Sequence, residues 1–170
     1  MIKDALRQLG VKVLSQVYTP GILEGTNILR IDTKLIVGIG KRANKEGVKK
    51  LEETFPDFEI VPVKVPMDAP IVDYVNILEK DLVVIGEEVL HTDLYRKLKE
   101  MEIDIVVIPR EESERKAMHF LRLSSRKVLN IVSPFNRKLS MLGYDVIQIN
   151  FSEFLKANAG IYPCVLPIED

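Results

Sequence analysis

The sequence predicts an α/β fold assembled from a repeated strand–strand–helix–strand (ββαβ) unit. Three segments look alike: NILRIDTKLIVGI from Asn27, YVNILEKDLVVIG from Tyr74 and HFLRLSSRKVLNIV from His119. Each is an apolar run, a short polar turn and a second apolar run, which is the pattern of two antiparallel strands joined by a hairpin. Leu35, Leu82 and Val128 mark the second strands, so the unit recurs after 47 and then 46 residues. A fixed period of this size suits a solenoid or a closed ring, and the period alone does not choose between them.

The chain opens on half a unit, residues 1–20. IKDALRQLG reads as a helix and VKVLSQV as a strand. The first complete unit, about 21–65, runs from the Asn27 hairpin into a helix on which Val48, Leu51 and Phe55 recur at helical spacing. Ile60 to Val65 then alternate as a strand does. The second unit, about 70–110, repeats this order, with LHTDLYRKLKE as helix and DIVVI as strand. The third, about 117–150, follows with Leu139 and Leu142 on a helix and Val146 to Ile149 on a strand. GIYPCVLPI supplies a last strand over 160–168. The charge runs KRANKEGVKK and REESERK read as solvated helix faces or loops. No Pro/Gly/Ser linker divides the units, so 1–170 is expected to be one domain.

Composition narrows the function classes. The 170 residues predict a single domain, and 46% hydrophobic residues with 24 basic against 25 acidic side chains exclude a disordered tail. A net charge of −1 gives no electrostatic footprint for nucleic acid. Only 6% of residues are aromatic and none is Trp, so a base-stacking platform is not expected either. The single cysteine, Cys164, cannot form an intramolecular disulfide and implies no oxidising compartment. No apolar run approaches the ~18 residues that cross a bilayer, and MIKDALRQLG is too short a stretch for a signal peptide. The expectation is a cytoplasmic protein without membrane attachment.

Three segments, read together, resemble a known family. LEGTNILRIDTKLIVGIGKRANKEGVKKL is similar to the hairpin–helix of the guanidine-modifying (pentein) superfamily, and most of all to its dimethylarginine dimethylaminohydrolase members. They carry Leu-Glu-Gly-Gly-Asp before the hairpin and Gly-x-x-x-Arg-Thr-Asn before the helix. Here these stand as Leu23-Glu24-Gly25-Thr26-Asn27 and Gly38-Ile39-Gly40-Lys41-Arg42-Ala43-Asn44. LGYDVIQINFSEFLKANAGIYPCVLPI resembles that family's C-terminal run: a Leu-Gly-Tyr strand, a Ser-Glu-Phe turn and a strand bearing a nucleophilic Cys. HFLRLSSRKVLNIVSPFNRKL resembles the hairpin just upstream. The resemblance implies a pentein-type α/β propeller with about three and a half modules where the family has five. It implies neither metal nor cofactor.

Hydrolysis of a guanidine C–N bond requires a nucleophile for the guanidinium carbon, a base that moves protons, and carboxylates that hold the cationic head. A thiolate suits the first task, a histidine the second, and a carboxylate accepts the planar N–H fork bidentately. The resemblance assigns Cys164 as nucleophile, Glu24 as the guanidinium-binding catalytic acid, and Asn27 and Arg42 as substrate-binding residues, with Arg42 gripping a ligand carboxylate. Asn27 stands where the family has Asp. Pro163 stands where the family's Cys falls when the glycines are aligned. The place of the family's catalytic His, Val65 to Pro70, holds none. Of the two histidines, His91 opens a helix and is expected to be exposed. His119 starts the first strand of the third hairpin, and around a pseudo-axis it would face Cys164.

Three readings follow. The first is a thiol hydrolase acting on arginine-like C–N bonds. The second is a degenerate relative that binds a small cationic guanidinium ligand with weak or no hydrolysis. The third is a non-catalytic interaction module, as in the five-unit ribosome-binding translation factors of the same architecture. The lost His and Asp favour the second over the first, and the near-neutral charge argues against the third. An incomplete ring also leaves strand edges unpaired, which predicts a homo-oligomer.

Overall fold

The computed structural model describes residues 2–65 and 69–165. Three three-stranded sheets follow one another along the chain, each with the same topology. The first contains β1 (Ile28–Ile31), β2 (Lys34–Ile39) and β3 (Glu59–Lys64); the helix α2 (Lys45–Thr54) crosses from β2 to β3. It follows α1 (Ile2–Gln8), the helix expected in the opening half-unit. The second sheet contains β4 (Val75–Glu79), β5 (Leu82–Gly86) and β6 (Asp104–Ile108), with α3 (Asp93–Glu100) as crossover. After the short α4 (Arg110–Glu114), the third sheet has β7 (Leu121–Ser124), β8 (Lys127–Ile131) and β9 (Asp145–Ile149), crossed by α5 (Phe135–Met141) and followed by α6 (Ser152–Lys156). In every sheet the hairpin pair is antiparallel and the strand after the helix returns parallel to the second strand. The 46-residue period is therefore the ββαβ module.

The layering follows from strand alternation. On β5, Val83 and Ile85 point into a core shared with Leu94 and Leu98 of α3 and with Leu29, Ile31 and Ile36 of the first sheet. Val84, between them, points the other way, towards Phe120, Val128, Phe135 and Leu139 of the third module. A strand buried on both faces needs an unbroken apolar run, and LVVIG provides one. The second module is thus packed between its neighbours. Sequence chemistry also fixes the helix starts. Asn44 caps α2 by accepting from the Gly47 amide at 2.9 Å, and Thr92 caps α3 by accepting from the Tyr95 amide. Gly47 is required where it stands, because a Cβ there would come within 2.0 Å of the Ile22 carbonyl oxygen.

Three expectations change. Val11–Val17 pairs with no strand among the described residues, whereas the parallel strands β3, β6 and β9 each lie against a hairpin of their own module. At the C-terminus, 160–165 contains a 3-10 turn, Tyr162–Cys164, instead of a strand, with Pro163 unable to donate to a ladder. The rest of that expected strand, 166–168, lies outside the described residues. The REESERK run is not a solvated face throughout. It forms α4 after Pro109, with Ser113 buried on that helix and Lys116 buried in the turn that follows.

Candidate active site

The residues that open the first strand of each module converge on one another. In the first module a 3-10 turn, Gly25–Asn27, precedes β1; in the second, Ile71–Asp73 precedes β4; in the third, Lys116–Phe120 precedes β7. Hydrogen bonds across modules hold these openings together. Asn27 is buried, donates Nδ2 to the Gly38 carbonyl at 2.9 Å and accepts at Oδ1 from the Ile71 amide at 2.9 Å. Asn76 of β4 donates Nδ2 to the carbonyls of Met118 and Phe120. Both amides are therefore engaged in joining one module to the next.

Asp73 lies between the second and third modules. Its Oδ2 accepts from Lys116 Nζ at 3.0 Å, and its Oδ1 lies 2.9 Å from His119 Nε2. Burial pushes the Asp73 carboxyl up, but His119 and Lys116 outweigh burial and hold it below the usual carboxylate range. Beside it, Glu88 accepts from the Ser113 hydroxyl at Oε1, and its Oε2 is buried without a hydrogen bond. Burial, then the charges of Asp73 and Glu88, push the Tyr74 phenol up. This end of the structure is consequently rich in carboxylate, which suits a cationic ligand.

His119 is 2% exposed, and although Nε2 lies 2.9 Å from Asp73, neither ring nitrogen has a hydrogen-bond partner among the described residues. Its Nδ1 edge is covered by the backbone of Gly160, where a Cβ would sit 2.3 Å from Nδ1. The Tyr162 amide donates to the His119 carbonyl at 3.2 Å. The segment that carries Cys164 thus packs on His119, while the thiol itself is exposed and is not hydrogen-bonded to the ring. His91 is exposed, ahead of α3.

Glu24 and Arg42 form an ion pair at 2.8 Å, with side chains 47% and 41% exposed. The Glu24 amide also donates to the Arg42 carbonyl at 2.9 Å, so backbone and side chain lock the two motifs together. The turn after Glu24 packs on the turn that carries Asp73. The structure therefore brings Glu24 and Arg42 together, joins Asn27 to the second module, and sets His119 beneath the segment ending in Cys164. Asp73, Lys116 and Glu88 were not singled out from sequence. The signal for Asp73 was present: the reasoning that put His119 on the axis, applied to the second hairpin, selects the acid just before Tyr74. Among the described residues no three His, Cys, Asp or Glu side chains gather as a metal site, and no helix is long and apolar enough to cross a membrane.

Comparison with known proteins agrees with this architecture. A family model described as N,N dimethylarginine dimethylhydrolase, eukaryotic, matches residues 2–166. The protein YkgA of Bacillus subtilis (strain 168) is 26% identical over 171 residues, covering 99% of this chain and 59% of YkgA. A protein of Aeropyrum pernix is 25% identical, covering 98% of this chain and 60% of its own length. The chain thus spans about three-fifths of the curated relatives it matches. The dimethylarginine dimethylaminohydrolase of Pseudomonas aeruginosa, solved in complex with citrulline, superposes with a TM-score of 0.79 at 21% identity, over 94% of this chain and 61% of that one. The N-terminal domain of ArgZ, a cyanobacterial arginine dihydrolase bound to product, gives 0.79 at 19% identity over 94% and 61%.

Proposed function

Because the chain belongs to the N,N dimethylarginine dimethylhydrolase family, and so to the guanidine-modifying superfamily, we propose that it binds a small ligand with an arginine-like guanidinium head and hydrolyses its C–N bond weakly through Cys164. The observation that carries the reading is the exposed Glu24–Arg42 ion pair. An exposed pair of this kind is worth only about 0–1 kcal/mol, so exchanging it costs little. A zwitterionic ligand would exchange both halves at once. Its guanidinium takes Glu24 as a planar fork takes a carboxylate, and the freed Arg42 takes the ligand's carboxylate. Asn27, committed at both ends of its amide, positions the Glu24 turn and does not grip the ligand itself.

The chemical step would proceed by attack of the Cys164 thiolate on the guanidinium carbon. The amine leaves with a proton, and water then releases the thiol and the urea-type product. His119 is the base on this reading, oriented by Asp73. Its burial under Gly160 and the missing hydrogen bond to the thiol are why the rate is proposed to be low. The reaction is placed in the cytoplasm, where a lone thiol stays reduced.

Calorimetry with citrulline, arginine and dimethylarginine tests binding directly. Glu24→Gln and Arg42→Ala should each weaken it by about tenfold or more, the scale of one lost charge-assisted contact. Citrulline release, with Cys164→Ser as control, tests the chemistry. No binding of any of the three ligands would overturn the proposal, and release unchanged by Cys164→Ser would overturn the mechanism.

A further inference from the structure

We propose that Lys116 is an internal cation that competes with a ligand's guanidinium for Asp73, and so sets how strongly the site prefers a cationic head to a neutral one. The inference rests on the ligand class proposed above and adds a specificity-determining residue to it. Lys116 comes from a charge run that reads as solvent-facing, yet it is 8% exposed and its Nζ donates to Asp73 Oδ2 at 3.0 Å. Its φ is +63°, in the left-handed region that a lysine rarely adopts. Backbone bonds hold that turn on both sides: the Lys116 amide donates to the Ser113 carbonyl, and the His119 amide to the Lys116 carbonyl, each at 2.9 Å. The lysine is therefore directed inward by a built turn.

Both oxygens of Asp73 are approached from the third module. Oδ2 takes Lys116, and Oδ1 lies 2.9 Å from His119 Nε2. A head group whose C–N bond is to be worked by His119 has to come against that ring, and therefore against Asp73. A guanidinium is planar and carries N–H donors on every edge. One edge suits Glu24, whose turn packs on the turn that carries Asp73. The edge towards His119 meets a carboxylate already filled by an ammonium group.

Two cations cannot share that acceptor without repelling each other, so the ligand must displace Lys116 or accept a weakened contact. A neutral ureido head gains little from the Asp73 charge and loses little when Lys116 holds it. The ammonium is thus directed against cationic heads in particular. Its flexible four-carbon stem gives it a way to swing aside when one binds.

Calorimetry on the whole chain with arginine and citrulline tests this, because the two ligands differ in the charge of the head. A charge-assisted contact contributes about tenfold or more in affinity. Wild type should prefer arginine by about tenfold, the share of Glu24 alone. Lys116→Met should raise the preference to about a hundredfold, tightening arginine and leaving citrulline within about twofold. Lys116→Gln, which keeps an N–H donor for Asp73, should act in the same direction and serves if the methionine variant does not fold. Adding Asp73→Asn to either variant should return the wild-type ratio. A wild-type preference already near a hundredfold overturns the proposal without any variant, and so does a gain that survives Asp73→Asn. Arginine affinity unchanged or weaker in the folded variants overturns it and leaves the proposed ligand class standing. Binding of neither ligand to any form overturns that ligand class and this inference together.

Discussion

Lys116 Nζ donates to Asp73 Oδ2 at 3.0 Å across 43 residues of sequence, with the two side chains only 11% and 19% exposed. The bond fastens the opening of the third module to that of the second, beside His119. Removing the acid leaves an ammonium group with little water to replace it. Breaking a buried pair by deleting one partner costs about 3–5 kcal/mol. Asp73→Ala should fall near the lower end of that range because water reaches the pair in part. The midpoint of urea unfolding measures it, and a loss within error of zero would remove the pair from the account of module joining.

The same carboxylate gives the protein an acid limb. Its folded-state value lies below that of the unfolded chain, so the stability it adds is fully present above about pH 4. It is lost as the pH falls through the lowered value. Wild type and Asp73→Asn should therefore differ most at neutral pH and converge in acid. Parallel stability curves from pH 7 down to pH 2 would contradict the assignment.

Tyr144 supplies the opposite case. Burial, then the hydrogen bond from its hydroxyl to Glu79 at 2.5 Å and the Glu79 charge, push the phenol up to about 12. A folded value above the unfolded one adds stability below about pH 10 that disappears as the pH rises towards 12. Ultraviolet titration should show the same tyrosines ionising near pH 10 in wild type and Tyr144→Phe, with an extra ionisation near pH 12 in wild type alone, and the phenylalanine variant should be about 1 kcal/mol less stable at neutral pH.

Asn27 stands where the family has Asp, and its surroundings give the reason. Asn27→Asp keeps an acceptor for the Ile71 amide but turns a carboxylate oxygen towards the Gly38 carbonyl, which now receives a donor. A buried charge facing an acceptor should cost about 3 kcal/mol. Restoring the family's residue should thus destabilise the chain without improving ligand binding. A thermal midpoint equal to wild type, or tighter binding of arginine, would contradict this.

The modules were legible in the sequence because the central strands of the first two are buried on both faces, which forces apolar runs such as LIV and LVVIG, and the third keeps the same hairpin spacing. Glu24 and Arg42 were legible because they sit in short local motifs. The Asp73–Lys116–His119 cluster was not, since it joins residues more than 40 positions apart and draws Lys116 from a charge run that reads as solvent-facing. The two outer strands were over-read for a related reason: alternation over VKVLSQV and GIYPCVLPI reports a preference for strand, but a strand also needs a partner. Val11–Val17 finds no partner strand among the described residues, and 160–165 is turned by Pro163.

That C-terminal segment provides the last test. Gly160 lies so close to His119 that a Cβ would come within 2.3 Å of Nδ1 and 2.5 Å of Cγ. The ring cannot retreat, because its far edge already lies 2.9 Å from Asp73. Gly160→Ala must therefore lift the segment and strain the bond from the Tyr162 amide to the His119 carbonyl, at about 1–3 kcal/mol for an overpacked site. Lifting also uncovers the imidazole. His91 is exposed and His119 is not, so the two histidines form an internal comparison. Diethylpyrocarbonate followed by mass spectrometry should modify His91 alone in wild type, and both histidines in Gly160→Ala. If His119 stays protected in the variant, the segment does not cover it, and the low rate attributed to that cover loses its structural cause.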